Sequence, residues 1–466
     1  MAEVVTCPAC RGGQLRRRGD PLCPPCAGAA LKVAPGPLWV LDSPLLRSVL
    51  AEVNVPAVVA VVRAACGLSQ RGMAEVVGWS PAVLSYYERG RRNAVFDVRV
   101  VLQFADAVGM PRSALLALLL GDPDPDAGSL PDQAGSTQRG VTGVRLRYWR
   151  ACTDALHARE RAAGGTSLLR PALLLWRQAS GALHGTNRVV PGNTELLATL
   201  AEVALYAGQA ALDAGNLALA RSLHDAAQDL TVGTNDPVLG IHVLVAQSML
   251  QARMARAGGR REPARQALHL ARTAAEEARY EPVPQLHALI ATCHARAAAL
   301  LGDKHAFEAA ITRAARELRR PRIDDAGALP AWLKHFGPTE VMAAEAAGAV
   351  DLGETARCFD LYHQALEAAS CPRDRALLAA CLAHAQSLQG EGGEAVTVAL
   401  GIALPALESG VSSTRCLDQL RDVAAAAGAV RGVLELRERV DRARRGLPGA
   451  PGTGEGPPAN LVRLPA

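Results

Sequence analysis

Apolar residues recur at helical spacing along most of this 466-residue chain. From residue 144 to about residue 445 one amphipathic segment follows another, as in residues 195–212, 284–301 and 374–389. β-branched residues are not gathered into the alternating runs that strands need. We therefore predict an all-α protein.

The long helical region repeats itself loosely. Residues 214–230, 301–318 and 352–368 carry small side chains at similar spacings, and residues 392–408 show the same pattern less clearly. Small residues let two antiparallel helices approach closely, and stacked pairs build a core that no single pair can bury. The segments resemble tetratricopeptide repeats, which implies an α-solenoid of five to seven helical pairs with a period near 40 residues. An irregular α-bundle is the alternative.

Composition marks the boundaries between segments. Gly and Pro are frequent in residues 121–143 and again at the C-terminal end, which is typical of flexible chain. We predict a cysteine-paired motif at residues 1–34, a five-helix domain at 44–121, a flexible linker at 122–143, the helical repeats at 144–445 and a disordered tail at 446–466.

Positive charge is concentrated near the N-terminus. The formal net charge is +5, and residues 1–92 hold eleven basic and six acidic residues, so the whole excess lies in this part of the chain. This asymmetry is expected of a protein that meets a polyanion with one end.

The first residues, MAEVVTCPAC, lack the apolar core of a signal peptide. No uninterrupted apolar run reaches the roughly 18 residues of a membrane span. We therefore expect a cytoplasmic protein without membrane contact. In that reducing compartment, its eleven cysteines are not expected to form a disulfide framework.

Four of the cysteines form two CxxC pairs, Cys7–Cys10 and Cys23–Cys26. Two such turns can complete the tetrahedral four-sulfur site that Zn²⁺ prefers, and a filled set of ligands makes the site structural. The alternative, a redox CxxC, needs one pair and a βαβ context. Arg16, Arg17 and Arg18 in the intervening loop either touch phosphate or form a solvated face.

Residues 55–120 show the signals of five short helices. Pro56 suits the first turn of the first helix, and Ser69 caps a second helix at 70–77. Gly78 supplies a turn with positive φ, and Ser80 followed by Pro81 starts a third helix that runs to about residue 88. Two further helices are predicted at about 97–108 and 112–120.

The segment LSQRGMAEVVGWSPAVLSYYERGRR, residues 68–92, resembles the Cro/C1-type (Xre-family) helix-turn-helix. It follows the family run Leu-Ser-Gln, then Ala, Gly, Ser, an aliphatic residue, Ser and Glu-Arg-Gly. The resemblance implies that the helix from Ser80 lies in the major groove of double-stranded DNA. It places DNA contacts at Gln70, Ser80, Pro81, Ala82, Ser85, Tyr86, Arg89, Arg91 and Arg92.

These contacts divide by chemistry. Gln70 and the three arginines fall at phosphate-contacting positions. Pro81 and Ala82 offer a base only apolar contact, for example with a thymine methyl group. Direct readout of base edges then rests on Ser85 and Tyr86, either alone or together with Arg89.

Three neighbouring residues are expected to stabilise the fold and not to contact DNA. Trp79, at the turn, is expected to pack on the first helix, and Tyr87 is expected to face the core. Glu88 is expected to pair with a nearby arginine, either Arg63 or Arg71, and not to meet DNA.

The whole arrangement resembles actinobacterial regulators that combine a zinc-ribbon-like motif, a Cro/C1-type domain and a tetratricopeptide-like region. The resemblance implies a sequence-specific transcriptional regulator associated with the nucleoid. It would act as a homodimer whose repeats bind a peptide, a small molecule or a partner protein. The alternative is an interaction scaffold whose helix-turn-helix is vestigial or docks protein. We find no phosphate loop, no Gly-x-Ser-x-Gly and no His-Glu-x-x-His, so we do not expect an enzyme.

Overall fold

The computed structural model describes residues 7–10, 22–27, 44–51, 54–89, 98–108, 143–184, 194–320 and 329–445. Within these ranges the protein is all-helical, which confirms the predicted fold class. The helices are α1 (Pro44–Ala51), α2 (Val55–Ala65), α3 (Gln70–Val77), α4 (Pro81–Glu88), α5 (Val98–Ala107), α6 (Gly143–Ala163), α7 (Leu169–His184), α8 (Thr194–Asp213), α9 (Leu217–Thr231), α10 (Pro237–Gly258), α11 (Arg261–Glu277), α12 (Pro284–Leu301), α13 (Lys304–Leu318), α14 (Pro338–Asp351), α15 (Thr355–Ala368), α16 (Pro372–Leu388), α17 (Gly392–Val398), α18 (Leu404–Glu408), α19 (Thr414–Ala426) and α20 (Val433–Arg445). The predicted helix at 112–120, the tail at 446–466 and the linker, except its last residue, lie outside the described residues.

The chain forms two compact units. The first comprises Met1–Ala155 and Pro171–Thr199, and the second comprises Leu156–Arg170 and Leu200–Leu464. The first unit contains the helices predicted between residues 55 and 108, and the second contains most of the repeat region.

In the first unit, α2 is the central helix of the predicted five-helix domain. Its Val58, Val59, Val61 and Val62 are all buried. α2 contacts α1 and α4, and α3 contacts α4 and α5. A helix apolar on nearly every side is stable only inside a core, so its neighbours must surround it.

Two later helices of the first unit secure the end of α5. The Tyr148 hydroxyl of α6 donates to the Val108 carbonyl at 2.8 Å, and the Gln178 amide of α7 donates to the Ala107 carbonyl at 2.7 Å. Both bonds satisfy carbonyl groups that the last turn of a helix leaves without an intrahelical partner.

The second unit stacks helices in consecutive pairs. Six pairs lie within the described residues: α8/α9, α10/α11, α12/α13, α14/α15, α16 with α17–α18, and α19/α20. Their first helices begin at residues 194, 237, 284, 338, 372 and 414, so the interval ranges from 34 to 54 residues. This is the solenoid-like packing that the loose repeat predicts.

The turns inside the pairs share one construction. A glycine with positive φ ends the first helix at Gly215, Gly302, Gly353 and Gly390. The next N–H then reaches back to a carbonyl of the last helical turn, as in Asn216 to Ala211 at 2.8 Å and Glu354 to Ala349 at 2.8 Å. Only glycine adopts this left-handed conformation without steric cost, so the spaced glycines mark the turns between the two helices of these pairs.

Small residues set how closely neighbouring pairs approach. A Cβ atom added at Gly348 in α14 would lie 2.2 Å from Cε2 of Phe307, which α13 holds fully buried. Ala220 and Ala227 of α9 are likewise fully buried. The predicted role of small side chains at helix crossings is therefore confirmed at these positions.

We expect Gly348→Ala to lower the free energy of unfolding by roughly 1–3 kcal/mol, because the added methyl overpacks the Phe307 ring. Gly240→Ala is the matched control. It lies within α10 with open space around its Cα, and alanine there is expected to raise stability by about 0.5–1 kcal/mol. Urea denaturation measures both, and equal effects of the two substitutions would contradict this packing.

The two ends of the second unit meet. Thr166 donates its N–H to the Ser412 carbonyl at 3.3 Å, and Thr414 donates its N–H to the Thr166 hydroxyl at 3.0 Å. Asp213 accepts the Gly165 N–H at 2.9 Å and the Ser413 hydroxyl at 3.4 Å. The start of α19 therefore contacts both the segment before α7 and the end of α8.

One described helix, α10, is long and apolar enough to cross a membrane. Its most apolar window is 61% buried inside the protein. That burial fits the inner helix of a helical repeat, since such a helix contacts neighbours on several sides.

Candidate nucleic-acid interface and metal centre

Short-range hydrogen bonds and a glycine turn define the helix-turn-helix segment, α3–turn–α4, which lies in the first compact unit. The Ser69 hydroxyl accepts the Gly72 N–H at 3.0 Å and starts α3, and the Ser80 hydroxyl accepts the Val83 N–H at 3.2 Å and starts α4. Between them Gly78 has φ +78°, in the left-handed region. Both caps, the glycine turn and the bounds predicted for α3 are confirmed.

One face of this unit is sealed into the core. Met73, Ala74, Val77 and Leu84 are buried, as predicted. Tyr87 is also buried, and its ring lies 4.7 Å from the Trp79 ring, centroid to centroid. Trp79 in turn stacks on Phe104 of α5 at 6.0 Å. The aromatic residues at the turn therefore hold α4 against its neighbours and are not available for stacking on bases.

The opposite face of α4 is open to solvent. Ser80, Pro81, Ala82 and Arg89 are exposed, and Tyr86 keeps 46% of its surface accessible. Ser85 lies between them and is half-buried. The predicted base-contacting and phosphate-contacting residues of α4 thus share one accessible surface. Arg91 and Arg92 lie outside the described residues.

A buried ion pair anchors the C-terminal end of α4. Arg63 Nε lies 2.5 Å from Glu88 Oε1, its second nitrogen lies 3.1 Å from Glu88 Oε2, and both side chains are nearly fully buried. The expectation that Glu88 pairs with an arginine is confirmed, with Arg63 as the partner. Arg63 also donates to the Leu68 carbonyl at 3.2 Å, so the pair ties α2, the α2–α3 turn and α4 together.

Gln70 joins this network. Its side-chain nitrogen donates to Glu88 Oε2 at 2.7 Å, which directs the amide group toward α4. Its backbone N–H belongs to the first turn of α3, where intrahelical bonds leave N–H groups available for an anion. The phosphate contact of Gln70 stays a prediction, for which the backbone is the better donor. Arg71, exposed beside it, is a candidate phosphate contact that the sequence reasoning missed.

The four paired cysteines converge. The Sγ atoms of Cys7, Cys10, Cys23 and Cys26 all lie within 4.8 Å of one another, and the Cys10 and Cys23 sulfurs are 3.7 Å apart. Sulfurs at about 2.3 Å from a tetrahedral zinc ion would be separated by about 3.8 Å. Within the described residues, no other group of three or more His, Cys, Asp or Glu side chains is arranged to hold a metal ion.

Electrostatics in this cluster favours a bound cation. Burial raises the pKa of the Cys23 thiol, and burial together with the neighbouring thiols raises the pKa of Cys26. Four sulfurs this close cannot all ionise without a positive charge among them, whereas a divalent cation stabilises all four thiolates at once. The residues present therefore fit a metal ion.

Asn54 connects the cysteine cluster to the helix-turn-helix. Its side-chain nitrogen donates to the Pro8 carbonyl, inside the first CxxC turn, at 3.0 Å. Its side-chain oxygen accepts the Ala57 N–H at 3.2 Å and so caps α2. Because α2 carries Arg63, the cysteine turn supports the helix that anchors α4. No pattern in the sequence marked this role of Asn54.

Comparison with known families identifies the domain that this geometry describes. Residues 57–118 match the family model of a helix-turn-helix domain. The chain therefore contains a helix-turn-helix domain, a class typical of DNA-binding regulators, preceded by a cluster of four cysteines that can bind a metal ion.

Comparisons with curated proteins and with solved structures do not extend this identification. No curated protein matches the chain. A solved structure of a monomeric mutant of IFIT1 with Gppp-AAAA is 11% identical and covers 90% of this chain and 94% of its own. Its TM-score of 0.29 is too low to indicate a shared fold.

Proposed function

We propose that the protein is a sequence-specific transcriptional regulator of the Cro/C1 type, which binds double-stranded DNA with α4 in the major groove. The observation that carries this proposal is the two-sided character of α4. One side is fixed by Leu84, Tyr87 and the Arg63–Glu88 pair, while the other presents an exposed surface beginning at Ser80. A groove-reading helix requires both, because the anchored side holds the free side in register with the bases.

The exposed side chains contact different parts of the DNA, some the base edges and others the phosphate backbone. Ser85 and Tyr86 supply the hydroxyl groups that hydrogen-bond base edges, and Pro81 and Ala82 pack on thymine methyl groups. Arg89, with Arg91 and Arg92, pairs with the phosphate backbone, as do Ser80 and the N-terminal turn of α3 at Gln70. Few polar readers on one short helix give modest affinity. We therefore propose a homodimer on two half-sites about 34 Å apart.

The other segments support this function. The four cysteines hold a structural Zn²⁺, which stabilises the N-terminal motif and, through the Asn54 contact, the start of α2. The tetratricopeptide-like pairs of the second unit mediate dimerisation or bind a ligand or partner that regulates DNA binding. The protein would act in the cytoplasm, on the nucleoid.

We expect Tyr86→Ala to lower affinity for a selected DNA site by about 1–3 kcal/mol and to relax the preference at one base pair, because it removes a base contact. Arg89→Ala is expected to weaken binding to all sequences similarly and to reduce the salt dependence by about one ion. Fluorescence anisotropy with the selected site, single-base variants and a salt series measures both effects.

Arg265→Ala is the matched control, since Arg265 is an exposed arginine on α11 in the second unit. It should bind DNA as the wild type does. If wild-type protein shows no salt-sensitive binding to any selected duplex, or Tyr86→Ala and Arg89→Ala bind as tightly as wild type, the regulator proposal fails. An interaction scaffold then becomes the better interpretation.

A further inference from the structure

The ends of three helices in the second unit form a surface groove with a volume of about 390 Å³. It is lined by the last turn of α9, by the turn that follows at residues 232–236, by the first two turns of α10 and by Glu277 of α11. Leu244 of α10, which is buried, also lines the groove. A groove of this volume is large enough to admit a side chain of a partner molecule.

Short hydrogen bonds hold the turn between α9 and α10 in this shape. The Thr231 hydroxyl donates to the Gln228 carbonyl at 2.7 Å, and the Thr234 hydroxyl donates to the Thr231 carbonyl at 2.9 Å. The Asp236 carboxylate accepts the Leu239 N–H at 3.0 Å and caps α10. Because the wall of the groove is already bonded, little conformational entropy is lost when a partner binds there.

Two exposed apolar side chains accompany the groove. Val232 lines it with 87% of its surface accessible, and Tyr280, three residues beyond Glu277, keeps 85% accessible. Within the described residues these are the two most exposed large hydrophobic side chains. A single exposed apolar residue is ordinary on a protein surface, whereas two at one groove indicate a contact surface.

The chain segments that build the groove are acidic. Residues 222–240 and 273–284 hold six carboxylates and one arginine, although the whole chain has a net charge of +5. Glu277 forms no ion pair within the part of the chain that the structure describes. The one arginine, Arg279, has its guanidinium carbon 5.9 Å from the centroid of the Tyr280 ring. The groove is therefore complementary to a cation that lies next to an apolar group.

We propose that this groove docks a segment of a partner protein in which a lysine or arginine adjoins an apolar residue. The aliphatic stem of the basic side chain packs along Val232 and Leu244, while its charged group reaches the carboxylates of Asp236 and Glu277. The adjoining apolar residue covers Tyr280, a residue type that is frequent at the energetic centre of interfaces. A nucleic acid is disfavoured, since its phosphates would meet carboxylates.

The groove gives a location and a partner chemistry to the partner-binding role proposed for the repeats, and in this respect the inference rests on that proposal. Every residue that lines the groove belongs to the second unit. Docking there therefore does not require DNA binding by α4.

A phage-displayed library of random short peptides, selected on the full wild-type chain, tests the groove. We expect the enriched peptides to contain Lys or Arg beside an aliphatic or aromatic residue. Fluorescence anisotropy with an enriched peptide should show at least a tenfold loss of affinity in Glu277→Lys and in Gly240→Leu. A Cβ atom added at Gly240 meets no atom within 4 Å, so the leucine occupies the groove and the melting temperature should not fall.

Two matched variants control for charge and for side-chain size. Glu262→Lys reverses another exposed carboxylate of α11 outside the groove, and Gly181→Leu fills open space at a helical glycine of α7 in the first unit. Both should bind the peptide within about twofold of wild type. Tyr86→Ala should lose DNA affinity and keep the peptide, so failure of DNA recognition is distinguished from failure of this groove.

The proposal is overturned if no peptide is enriched, or if the enriched peptides are acidic or uncharged. It is also overturned if Glu277→Lys or Gly240→Leu binds the peptide as tightly as wild type. A wild-type oligomer that Glu277→Lys dissociates would show that a second copy of the chain covers the groove, which would equally overturn docking of a different protein.

Discussion

Cys23→Ser is expected to remove the bound metal and unfold the N-terminal motif. Serine is a much weaker zinc ligand than a thiolate, and the Cys23 sulfur lies among the three others of the cluster. Zinc binding in motifs of this size contributes on the order of 10–16 kcal/mol of apparent free energy, which the short segment cannot replace from its own core. Elemental analysis should find about one zinc per wild-type chain and at least a tenfold lower content in the variant.

Cys371→Ser is the matched control for this experiment. Cys371 is a buried cysteine of the second unit whose sulfur accepts the Asp374 N–H at 3.4 Å at the start of α16, and a serine hydroxyl caps a helix equally well. It should therefore retain the metal. Full zinc content in Cys23→Ser, or no zinc in purified wild-type protein, would contradict a four-cysteine zinc centre.

The Asn54 contact predicts how far the consequences of metal loss extend. Without a folded CxxC turn the Pro8 carbonyl no longer holds the Asn54 side chain, although its oxygen can still cap α2. Metal loss should then reduce the stability of the helix-turn-helix by no more than about one capping interaction, roughly 1 kcal/mol. DNA affinity should fall modestly and not vanish.

The second large effect is expected for Glu88→Ala. It leaves the Arg63 guanidinium, 2% exposed, without its carboxylate in the core of the helix-turn-helix. Removing one partner of a buried ion pair typically costs about 3–5 kcal/mol, because the remaining charge stays desolvated. The Gln70 amide loses its acceptor in the same substitution. Urea denaturation and DNA-binding anisotropy should both show a severe defect.

Two further variants isolate the cause. Glu75→Ala removes an exposed carboxylate from α3 and should change stability by less than about 0.5 kcal/mol. Arg63→Met combined with Glu88→Leu removes both charges and should recover much of the stability that Glu88→Ala loses. A double variant as unstable as Glu88→Ala would show that packing, and not the unpaired charge, dominates at this position.

Local signals made the helix-turn-helix readable from the sequence. Ser69, Gly78 and Ser80-Pro81 each act on the backbone within a few residues, so their effects need no knowledge of the rest of the fold. The two CxxC pairs were readable for the same reason, since each turn aims its own two sulfurs. The different roles predicted for Tyr87, in the core, and Tyr86, on the outer face, agree with the burial of Tyr87 and the exposure of Tyr86; the position of Tyr86 was taken from the family resemblance.

Contacts between segments that are far apart along the chain were harder to predict from the sequence. The sequence analysis predicted an arginine partner for Glu88 but did not choose between Arg63 and Arg71, because the choice depends on how α2 crosses α4. The bond from Asn54 to Pro8 spans 46 residues and has no sequence signature. The contact between Thr166 and Thr414 spans 248 residues, and no repeat pattern indicates that the two ends of the second unit meet.

The sequence by itself therefore determined most of the helices, their caps, the paired cysteines and the exposed face of α4, because each depends on spacing and short-range bonding. The tertiary structure decided which partners the charged groups find. It paired Glu88 with Arg63, which lies 25 residues away along the chain. Coulomb interactions depend on distance in space, and only the packing of helices far apart along the chain sets that distance.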